Sequence, residues 1–67
     1  MRCKVQSGDF EKFIDAESLI EAAKKAIIFR RDNCTEKLSE ITLVQEIKQN
    51  LFTGNHIFVS TATLIEG

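Results

Sequence analysis

The sequence predicts an α+β domain of β-β-α-β-β order, an antiparallel sheet with one helix packed on one face. Three observations carry that expectation. Residues 1–6 alternate strictly, with Met1, Cys3 and Val5 on one side and Arg2, Lys4 and Gln6 on the other, the period of a half-buried strand. From Leu19 to about Arg31 the apolar residues Leu19, Ala22, Ala23, Ala26, Ile27 and Phe29 recur at helical spacing. Beyond them, Ile41 to Val44 and His56 to Ser60 are rich in β-branched and aromatic residues. A chain of 67 residues supports one core, so residues 1–67 are expected to be a single small domain.

Each element has its own local cause. Ser7-Gly8-Asp9 supplies a turn, because Gly tolerates positive φ and Asp bonds its own backbone, and Phe10 to Ala16 resumes as the second strand of a hairpin. Ser18 and Glu21 stand at capping-box spacing, each placed to accept from the other's amide, and start the helix. Glu21 lies four residues before Lys25, and Arg30 and Arg31 sit where the helix dipole favours cations. Asp32-Asn33 ends the helix, Asn being tolerated in a left-handed C-cap.

Leu38 to Ile47 carries two competing signals. Leu43, Ile47 and Leu51 fit helical spacing behind a Thr35 cap. The β-branched content of Ile41 to Val44, and the charges Glu40 and Lys48 on the would-be apolar side, favour a strand. Lys48 to Asn55 then reads as a loop closed by Thr53-Gly54-Asn55, before the last strand, His56 to Ser60. The tail from Thr61 either extends this strand or forms a helical turn capped by Thr61.

Charge and composition exclude several classes. Nine Lys and Arg against ten Asp and Glu leave a net charge of −1, without the whole-domain basic field of a typical nucleic-acid binder. The longest apolar run, Ala26 to Phe29, is far short of the roughly 18 residues that span a bilayer. Asp9 and Glu11 interrupt the segment where a signal peptide needs an apolar stretch, so no membrane partner and a cytoplasmic location are expected. Reduced thiols are the rule in that compartment, although Cys3 and Cys34 are also the one pair able to form a disulfide.

Catalytic signatures are missing. Gly8, Gly54 and Gly67 are too scattered for a phosphate loop or dinucleotide fingerprint. Two cysteines outside any CxxC pair and one histidine, His56, do not make a zinc set. A nucleophilic pair of Cys34 with His56 has no third orienting group. The carboxylates Asp9 with Glu11, and Asp15 with Glu17, read as a solvated charged face. No enzyme activity, cofactor or metal is therefore expected.

Two binding readings remain. Lys24, Lys25, Arg30 and Arg31 are the basic concentration, able to contact phosphates nonspecifically, although their helical positions already account for them. The five phenylalanines would be stacking platforms if they shared an open sheet beside cations, but Phe10 and Phe13 point to opposite sides of their strand. The stronger reading comes from a shortage of cover. One helix shields one side of a four-stranded sheet, yet Phe13 opposes Ile14, Val44 opposes Ile41 and Leu43, and Phe58 opposes Ile57 and Val59. Whichever set meets the helix, large apolar groups remain on the far side. A protein partner or a homo-oligomer is therefore expected at Phe13, Val44 and Phe58, unless Leu64-Ile65 or Leu51-Phe52 folds over that side.

The stretch Ala16-Glu17-Ser18-Leu19-Ile20-Glu21-Ala22-Ala23-Lys24-Lys25-Ala26, following a short hairpin, resembles the helix start of many small uncharacterised proteins of bacteria and their phages. The resemblance covers about the first half of the chain. It implies a compact β-β-α-β-β accessory module and assigns no functional residue.

Overall fold

The computed structural model describes residues 1–33 and 38–66. Its elements are β1 (Arg2–Ser7), β2 (Phe10–Asp15), α1 (Leu19–Asn33), β3 (Ile41–Lys48), β4 (Leu51–Ser60) and α2 (Thr61–Glu66). The four strands form one antiparallel sheet of order β2-β1-β3-β4, with α1 on one face, so the α+β class and β-β-α-β-β order hold. The segment that reads both ways is strand: β3 joins β1 to β4, and backbone pairing along both edges favours extended chain more than the helical spacing of Leu43 and Ile47 opposes it.

Gly8 makes the first turn at φ 59°, and reciprocal backbone bonds between Met1 and Ala16 close the open end of the hairpin. Ser18 Oγ accepts from the Glu21 amide at 3.2 Å, the forward half of the capping box. The Glu21 carboxylate turns to Lys25 Nζ at 3.1 Å, which holds it below the ordinary carboxylate range. On the buried side of α1, Ala22, Ala23 and Ala26 have no exposed surface, and their small side chains let the helix lie close against Cys3, Val5 and Val44 of the central strands.

The second hairpin departs from expectation. Lys48 to Asn55 is not a loop: Gln49 and Asn50, at φ 53° and 64°, make a two-residue turn, and β4 begins at Leu51. Two successive left-handed residues match the twist of the flanking strands, and Asn is among the side chains that tolerate that region. Thr53-Gly54-Asn55 is instead a bulge within β4, with Gly54 at φ 93° and a register shift opposite Gln45 and Ile47. His56 Nδ1 donates to the Gly54 carbonyl at 2.9 Å across the bulge.

The tail is helical. The Thr61 amide bonds the Glu40 carbonyl at 2.9 Å, and its buried hydroxyl meets Thr42 Oγ1 at 2.8 Å and Ser7 Oγ at 3.4 Å. This cluster anchors α2 to the helix-covered side, where Leu64 joins the core beside α1. Ser7 Oγ also accepts from the Ser39 amide at 3.1 Å, and among the described residues no buried side-chain polar atom lacks a partner.

Candidate interaction surface

Register decides which side chains share the sheet face away from α1. Across β2-β1-β3-β4 the rows on that face run Asp15, Arg2, Ile47, Phe52; then Phe13, Lys4, Gln45, His56; then Glu11, Gln6, Leu43, Phe58. Ile41 and Ser60 pair at the end of β3 and β4. The face therefore divides. Its β1–β2 half is charged apart from Phe13 and Gln6, and its β3–β4 half is mostly apolar.

Exposure on this face is large. Phe58 is 66% exposed, Phe52 55%, Phe13 50% and Ile41 50%, with Leu43 and Ile47 half-buried between them. Each phenylalanine carries about 150–250 Å² of side-chain surface, so the three together present on the order of 300 Å² to water. Phe13 stands on β2, across Lys4 and Gln45 from the other two, so the apolar patch of β3 and β4 is smaller and within what a monomer ordinarily shows. α2 packs on the opposite side, and Phe52, carried by β4, adds to the face in place of covering it.

The charged half neutralises itself. Arg2 Nε lies 3.6 Å from Asp15 and Lys4 Nζ 3.5 Å from Glu11, both pairs exposed enough to be worth little in stability. Lys4 also stands 5.7 Å from the Phe52 ring centre, and His56 meets Phe58 edge-on at 5.7 Å, so the aromatic groups are held in place by neighbours in their own chain.

Phe13 and Phe58 lie where a partner could reach them. Val44 does not: it is 0% exposed, with Val5 and Ile57 beside it beneath α1. The helix face took the Val44 side of β3 because Cys3 and Val5 of the neighbouring strand point the same way, which turns Ile41 and Leu43 outward. Phe52 and Ile47 are members that sequence reasoning missed. Asn50 within a polar dipeptide, between two alternating runs, was the available signal for the turn that places them.

The basic cluster of α1 is divided. Lys25 is tied to Glu21, while Lys24, Arg30 and Arg31 border a groove of about 330 Å³ whose floor is Ile27, Leu38 and Leu64, between α1 and α2. Cys3 is buried, and burial pushes its thiol up from the usual range, the opposite of what a nucleophile needs. Cys34, and with it the Cys3–Cys34 disulfide and the Cys34–His56 pair, lies outside the described residues. Glu11 and Asp15 are occupied by Lys4 and Arg2. Among the described residues no three His, Cys, Asp or Glu groups converge on a metal-sized site, and no helix is long and apolar enough to cross a membrane.

Fold and surface together define a class: a small α+β domain with one sheet face covered by helices and the other open, mostly apolar on its β3–β4 half and polar on its β1–β2 half. The chain matches no protein-family model, no curated protein and no solved structure.

Proposed function

We propose that this chain is a noncatalytic protein-interaction module whose working surface is the open sheet face. The observation that carries the reading is the apolar set on β3 and β4, Leu43 with Phe58 and Ile47 with Phe52 in two rows on either side of Gln45–His56, bordered on the β1 side by internally paired charges. Apolar side chains bordered by polar ones that are already paired are ordinary components of a protein interface. Such a surface also tends to associate nonspecifically unless a partner covers it.

A second reading has one observation in its favour. Phe13, Phe52 and Phe58 share an open antiparallel sheet with Lys4 and Arg2, an arrangement on which bases of single-stranded nucleic acid can stack. Against it, the cations of this face are matched by carboxylates, so little electrostatic attraction is left for a phosphate backbone.

Two variants separate the readings. In cross-linking capture from cells that make the protein, Phe58→Ser is expected to abolish protein association. Charge reversal at Lys24, Lys25, Arg30 and Arg31 is expected to leave it unchanged. Oligonucleotide binding with a steep salt dependence, lost on that charge reversal or in Phe58→Ser, would favour the nucleic-acid reading instead. Retention of the far-ultraviolet circular dichroism spectrum shows that each variant still folds.

A further inference from the structure

We draw no further inference here: the strongest candidate, the apolar groove between α1 and α2 floored by Ile27, Leu38 and Leu64, carries nothing because Arg30 and Arg31 at its edge already hold interactions of their own and nothing in the structure shows what covers it.

Discussion

Gly54 holds φ at 93°, and a Cβ built there meets nothing within 4 Å. Space is therefore free and backbone strain alone sets the cost of a side chain. Gly54→Ala is expected to destabilise the fold by about 1–2 kcal/mol. For a domain of this size that lowers Tm by roughly 5–15 °C, read by thermal circular dichroism. The effect has consequences beyond the residue. The bulge is what carries Phe52 back into register opposite Ile47 after His56 has paired with Gln45, so the placing of Phe52 relative to Phe58 along β4 depends on one permissive backbone. Ser7, Thr42 and Thr61 show the complementary case, in which polar side chains tolerate burial because each finds another hydroxyl or a backbone amide.

At the scale of elements, α1 is a helix that depends on packing more than on its exposed surface. Its alanines bring high helix propensity, but their value here is the short distance they allow to the sheet. Its start rests on a side-chain cap, Ser18 to the Glu21 amide. Ser18→Ala is expected to cost about 1 kcal/mol, measured as a shift in the urea midpoint at unchanged slope. The Glu21–Lys25 pair adds a small, salt-screened contribution. Because Lys25 lowers the Glu21 pKa, that contribution is present at neutral pH and is lost as pH falls through the folded-state value. The short α2 acts by position. Thr61 locks it to Ser7 and Thr42, and Leu64 closes the end of the core, which commits the tail to the side already covered.

For the whole molecule, the consequence is an imbalance. Both helices lie on one face of a sheet that carries apolar groups on both, and a domain of this length buries only about 60% of its unfolded surface, so its stability margin is small. If a second copy covers the open face, association of native chains adds to that margin by mass action. The midpoint of thermal unfolding is in that case expected to rise as total protein concentration is raised, and to lose this dependence in Phe58→Ser. Differential scanning calorimetry over a hundredfold concentration range reads both. A concentration-independent midpoint for the unaltered chain counts against self-association of the folded state.

The strand-helix-strand order was legible from residues alone, because alternation in Met1 to Gln6 and helical spacing from Leu19 to Arg31 are local properties that burial of one face imposes on any such segment. So was the presence of apolar groups on both sides of the strands, since Phe13 with Ile14 and Phe58 with Val59 must point in opposite directions wherever they lie. Which set faces outward was not. Val44 and Leu43 are equivalent in one strand, and the choice belongs to β1, whose Cys3 and Val5 side meets α1. The turn at Gln49-Asn50 had its local signal in that polar dipeptide, whereas the bulge at Gly54 and the folding of α2 away from the open face were decided by tertiary structure. Each depends on what a distant segment offers as partner, whether the backbone of β3, the register across it or the hydroxyl of Ser7, and no local pattern records those pairings.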